Sequence, residues 1–308
     1  MAGLSIESAA VRVEVDPGFG ARVLSLIDRR SGRDWMAKGP QSANTGEEAV
    51  YLADEAVGWD ECFPTVARWD AASTVWARNL RDHGDLWGRA WTVDSHTAGA
   101  LTLSYTDKDF RFTRTLAIHG EVVVASYRVD NLGSVDLPFL WALHGLLAVT
   151  PNDRIELPGI DTVAATYVTR DGATLDLPTS FWPGPARDLD LPLDVIHPAA
   201  TRFAAKLYAS DVPGSSVSVG GANGWLDIDW EEAEIAHLGL WLNYGGWPAP
   251  GNVHHIALEP TTGPVDDLGT ALATGTAVTL APGDSKSWTV TLALRTATAH
   301  HSPTDPTR

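Results

Sequence analysis

Apolar residues along this chain recur at every second position, and that period limits what it can fold into. Val11, Val13 and Val15 alternate with polar neighbours, as do Phe110 and Phe112 ahead of Leu116 and Ile118. Val122 and Val124 alternate with Val123 and Ala125, and Trp288, Val290, Leu292 and Leu294 alternate with threonine and alanine near the end. A period of two is the mark of a strand with one face buried. Turn clusters separate these runs, among them Asp16-Pro17-Gly18, Arg30-Ser31-Gly32, Asn131-Leu132-Gly133-Ser134, Pro213-Gly214-Ser215 and Ala281-Pro282-Gly283-Asp284. No long stretch keeps a 3.6-residue apolar period; only residues 228–237 suggest a short helical turn. The fold class that follows is all-β: a large antiparallel β-sandwich, two sheets packed face to face. No composition break marks a linker, so residues 1–299 read as one sandwich domain and 300–308 as a flexible tail.

With 308 residues and 44% hydrophobic content, the chain can bury a large core without disulfides. It has one cysteine, Cys62, so no intrachain disulfide and no multi-cysteine metal site can form. The formal charge of −17 disfavours nucleic acid and anionic membrane surfaces as partners. The most apolar stretch, Phe139 to Val149, is too short to span a bilayer, and residues 1–7 lack the form of a secretory signal. The reading is cytoplasmic, with monomer and homodimer both open. Thirteen tryptophans suit an aromatic core, and those beside polar motifs suit stacking on sugar C–H faces.

Four segments break the strand pattern with polar and aromatic residues: Gly58 to Pro64, Asp82 to Trp91, Trp141 to Gly145, and Leu240 to Gly263. Glu259 interrupts the apolar run Ile256 to Leu258 and precedes Pro260; a half-desolvated carboxylate there can act as a base. On spacing alone, a solvent-facing strand-end glutamate is the commoner reading. His144 lies within an apolar run. Such a histidine is more often a hydrogen-bonded core residue, but a partly buried imidazole can also pass protons near neutral pH. His83 precedes Gly84, which removes side-chain bulk where a ligand could approach. Asp85 brings a negative charge near His83. Metal groupings can be drawn from His83 and Asp85 with Asp60 or Glu61, or from the His254-His255 and His300-His301 pairs. Adjacent histidines on a strand face opposite ways, and no spaced ligand motif such as HExxH occurs, so no structural zinc site is expected, while a loosely bound metal near His83 stays open. Dinucleotide, P-loop and nucleophile-elbow motifs are absent.

Taken in order, "ECFP", "DHGDLWGRAW", "LHG", "LWLNYGGWP" and "LEPTTG" resemble the aldose 1-epimerase (galactose mutarotase-like) superfamily. The pattern is nearest to its glucose-6-phosphate 1-epimerase-like branch. The opening run Gly18 to Leu26, followed by Ser31-Gly32-Arg33-Asp34, is similar to that family's first hairpin. The resemblance covers roughly residues 10–295 and rests on the order of short motifs. It implies an aldose 1-epimerase-like isomerase working without a cofactor. His83 would contact the sugar near its ring oxygen, His144 would be the general acid and Glu259 the general base. Asp60, Glu61, Trp87, Arg89, Asp194, Trp241 and Asn243 are the expected substrate-binding residues, with Asp194 as counterpart of the family's hydroxyl-binding aspartate and Trp247 as a further wall. The phosphate-binding arginines of the branch are not evident beyond Arg89 and Arg22, so a neutral carbohydrate is the expected ligand. Two alternatives remain open: a lactonase or lyase acting on a sugar acid, and a binding protein that has lost activity.

Overall fold

The computed structural model describes residues 3–39, 45–46, 49–52, 56–176, 179–184, 190–231, 235–248, 251 and 253–297. The expected tail, residues 300–308, lies outside them. The alternating runs form strands as read: Val11–Asp16, Phe110–His119, Val122–Asn131 and Ser285–Arg295. Every strand pairing is antiparallel, building an eleven-stranded sheet, an eight-stranded sheet and two two-stranded ribbons among the described residues. The two large sheets stack, and their facing side chains form one extensive core. No described helix is long and apolar enough to cross a membrane.

The helix expectation needs correcting. Residues 228–230 complete the strand Gly224–Trp230, which pairs with Ser285–Arg295, and residues 232–234 lie outside the described set. A helix forms instead at Leu268–Thr274. The Asp267 carboxylate accepts from the Thr270 amide at 2.8 Å, and Gly275 closes the helix in the left-handed region at φ 73°.

A buried polar group bridges the sheets. Glu61 and Arg114, both without exposed side-chain surface, pair at 2.9 Å. Trp59, Trp141 and Tyr127 also donate to the Glu61 carboxylate, at 3.0, 2.9 and 3.1 Å. Burial lifts the Glu61 carboxyl to about 7 against the opposing pull of Arg114 and these donors. Glu61 is therefore an inter-sheet residue, and the substrate-binding role expected for it is overturned.

Candidate active site

Strand alternation builds a cleft on the outer face of the eleven-stranded sheet. In each contributing strand, one parity enters the core and the other faces out. On Trp59–Cys62, Trp59 and Glu61 point inward, while Asp60 and Cys62 point outward. On Ala142–Leu147, Leu143 and Leu147 join the core, leaving His144 and Leu146 on the cleft side. His254–Thr261 sends Ile256 and Leu258 inward and presents Glu259. His237–Tyr244 presents Trp241, Phe203–Ser210 presents Lys206, and Thr162–Arg170 presents Tyr167. The cleft has a volume of about 400 Å³, and Tyr51, Asp82, His83, Trp247 and Asp266 complete its wall.

His83, His144 and Glu259, far apart in sequence, thus line one cavity. The His83 and His144 rings lie 4.7 Å apart, and Tyr51 stacks on His83 at 3.7 Å. Strand register sets Asp60 opposite His144, whose Nδ1 meets Asp60 Oδ1 at 2.7 Å. Arg22 donates to the other carboxylate oxygen at 2.6 Å. Although burial opposes ionisation, Arg22 and His144 hold the Asp60 carboxyl well below its ordinary range. Burial pushes His144 down, and Asp60 only partly offsets it. Asp60 thus orients His144 and leaves Nε2 for the cleft, rather than contacting substrate as expected.

Glu259 pairs with Lys206, a residue the sequence reading passed over. The two sit on strands that flank His237–Tyr244, and Gly239 lies between them. A β-carbon at Gly239 would come within 3.0 Å of Glu259 Oε2 and 3.2 Å of Lys206 Nζ, so the missing side chain is what lets the ions meet. Burial lowers the ammonium's pKa, but the charges of Glu259 and Asp266 outweigh it and raise the value. Gly239→Ala is expected to push the pair apart and, for a reaction in which Glu259 is the base, to lower the rate by about a hundredfold through misplacement of its carboxylate. Steady-state assays beside a denaturation curve check this: a collapsed fold, or an unchanged rate, would refute the spacer role.

Trp241 lines the cleft, its Nε1 donating to His255 at 3.2 Å. Burial, followed by the neighbouring His144 and His254, drives His255 down to about 3, which leaves it neutral as the acceptor. Asn243 is fully buried. It clamps the Trp247 loop, donating to the Trp247 carbonyl at 2.7 Å and accepting from its amide at 3.1 Å, so it shapes the wall instead of touching a ligand.

Three more binding expectations fail. Trp87 is buried behind the wall, edge-on to Tyr51 at 5.1 Å, with Nε1 donating to the Asp82 carbonyl. The Arg89 guanidinium lies 5.9 Å over Tyr105, outside the cleft lining. Asp194 pairs with Arg154 at 2.8 Å, also outside the lining. Gly84 makes room for protein, not ligand: a β-carbon there would lie 2.0 Å from the Phe63 carbonyl oxygen, and φ is +74°. Asp85 is buried against Arg78 at 2.5 Å, so the carboxylate beside His83 is Asp82, at 3.4 Å.

The metal grouping drawn from His83, Asp85, Asp60 and Glu61 does not assemble, since Glu61 and Asp85 point elsewhere. His254 donates to the His197 carbonyl while His255 meets Trp241, so that pair is divided as expected. His300-His301 lies outside the described residues. The described residues that do draw together are Cys62, His83 and His144.

The cleft, lined by two histidines, three carboxylates, a lysine and two tryptophans, lies across the outside of a large antiparallel sandwich. No protein-family model matches this sequence, and no curated protein does. Solved structures match over nearly the whole chain. A galactose mutarotase-like protein from Lactobacillus casei ATCC 334 has a TM-score of 0.65 at 15% identity, covering 96% of this chain and 100% of that one. Another, from Clostridium acetobutylicum, has a TM-score of 0.65 at 16% identity, covering 95% and 94%. A candidate aldose 1-epimerase from Escherichia coli K12 has a TM-score of 0.69 at 15% identity, covering 96% and 99%. The chain has the galactose mutarotase-like fold.

Proposed function

We propose that the cleft binds a neutral aldose or a related metabolite and interconverts its anomers as an aldose 1-epimerase-like isomerase. The observation that carries this reading is the placement of His144, anchored through Asp60, in the same cavity as Glu259. Glu259 takes the proton from the anomeric hydroxyl while His144 protonates the ring oxygen. The ring C–O bond breaks to give the open-chain aldehyde. Rotation of the carbonyl and reversal of both proton transfers close the other anomer. Trp241, Trp247 and Tyr167 supply faces for the sugar's C–H surface. Lys206 holds the Glu259 carboxylate in place.

Charge supports a neutral ligand. Asp82, Glu259 and Asp266 line the cleft with Lys206 as the facing cation, and Arg22 is committed to Asp60. Anomer exchange followed by NMR, over neutral aldoses, uronates and sugar 6-phosphates, is expected to favour the neutral sugars. A clear preference for phosphates would reverse the substrate assignment, and no exchange on any of them would remove the isomerase reading. Lys206 also favours a second reading, a sugar acid whose carboxylate competes with Glu259 for the ammonium. Lactone hydrolysis or elimination of a uronate in the same screen would identify it.

A further inference from the structure

We infer that Cys62, His83 and His144 form a three-ligand site for a zinc-class divalent cation, between two histidines of the cleft wall and the buried thiol beside them. The inference needs no sugar and stands apart from the isomerase reading. The sulfur and one nitrogen of each ring lie within 4.8 Å of one another. Tetrahedral zinc with two nitrogens and a sulfur holds such atoms roughly 3.3–3.8 Å apart, from bond lengths of about 2.0–2.3 Å. Closure by about an ångström therefore suffices. His83 can supply it, because its side chain is partly exposed and sits on the loop after Arg81 rather than in a strand.

The placement follows from strand register. Cys62 shares the outward parity of its strand with Asp60, and Ala142 stands opposite Cys62 as His144 stands opposite Asp60. Ala142 is small, and the thiol packs against it and Val66 while staying near the two imidazoles.

The surroundings match what a metal-binding histidine requires. Asp60 occupies His144 Nδ1 at 2.7 Å, which leaves Nε2 for ligation. Asp82 stands 3.4 Å from His83 Nδ1. Carboxylates behind ligating histidines fix the ring and strengthen it as a ligand. Imidazole and thiolate together select zinc-like ions over magnesium or calcium. On binding, the Cys62 S–H bond breaks, a sulfur–metal bond forms, and the proton leaves to solvent. The resulting centre carries one net positive charge beside Asp60, Asp82 and Glu259. Three protein ligands leave one position for water. An ion here takes His144 away from proton transfer, so zinc should suppress any anomer exchange.

Titration of the intact protein with Co²⁺ tests the site. One equivalent is expected to give a thiolate-to-cobalt charge-transfer band that one equivalent of Zn²⁺ removes. Cys62→Ser should abolish the band and make any sugar turnover insensitive to zinc. Asp82→Asn, at an exposed side chain, should weaken Zn²⁺ binding roughly tenfold to a hundredfold. If serine is not accepted at the buried position, Cys62→Ala and His83→Gln give the same readout. Absence of the band, or Zn²⁺ affinity unchanged in the Cys62 and His83 variants, would overturn the site. Neither result depends on whether the protein isomerises sugars.

Discussion

Glu259→Gln is expected to lower anomer exchange by about two to four powers of ten while keeping the fold and sugar binding. Glutamine has nearly the shape of glutamate but cannot accept the proton from the anomeric hydroxyl. Its cost to stability falls on Lys206, which retains Asp266 as a nearby carboxylate. His144→Asn should do similar damage by removing the acid, and the double variant should be little worse than either single one, because the two groups act as a unit. The pH profile should be bell-shaped. Its alkaline limb belongs to the loss of the His144 proton, and burial of that ring puts the limb below the ordinary histidine value of about 6.5. Wild-type exchange rates in Glu259→Gln, measured by NMR at saturating sugar, would leave the cleft as a binding groove only.

Strand parity explains which parts of this site could be read in advance. The sandwich was legible because a half-buried strand writes its period directly into the sequence. His144 and Glu259 each break an apolar run, which made them candidates only; the order of motifs shared with the aldose 1-epimerase superfamily singled them out. Lys206 breaks the run Phe203 to Ala209 in the same way and carries the same signal, so it was open to the same reasoning. Asp60 and Glu61 show the limit. Neighbours on a strand face opposite sides, so only one of them could enter the cleft. Local sequence does not say which face is covered by a second sheet. That is decided by Arg114, Tyr127 and Trp141, all distant in the chain, which surround Glu61. Trp87 and Arg89 failed for a related reason. Their loop sets Trp87 against Tyr51 and Arg89 over Tyr105, and no periodicity governs a loop's direction.

The Glu61–Arg114 pair carries the second large effect, on stability. Arg114→Met is expected to cost about 3–5 kcal/mol, because it leaves a carboxylate buried between the sheets without its cation. Glu61→Gln alone should also be costly, since it strands the guanidinium. The double variant should recover part of the loss: once both charges are gone, the side-chain amide oxygen at position 61 can still accept from Trp59 and Tyr127, while Trp141 loses its acceptor. Urea unfolding of the four proteins measures the coupling. The loss should also depend on pH with a definite sign. Glu61 titrates at about 7 in the folded chain, above its ordinary value of 4.5, so its protonated form favours folding. Its contribution is full below 4.5 and is lost as pH rises toward 7. Without Arg114 the folded value moves higher still, and the loss continues past neutrality. The penalty of Arg114→Met should therefore be small near the ordinary glutamate value and grow with pH. A penalty that is flat with pH, or a double variant as unstable as Arg114→Met, would mean that packing of the arginine stem, and not its charge, joins the two sheets.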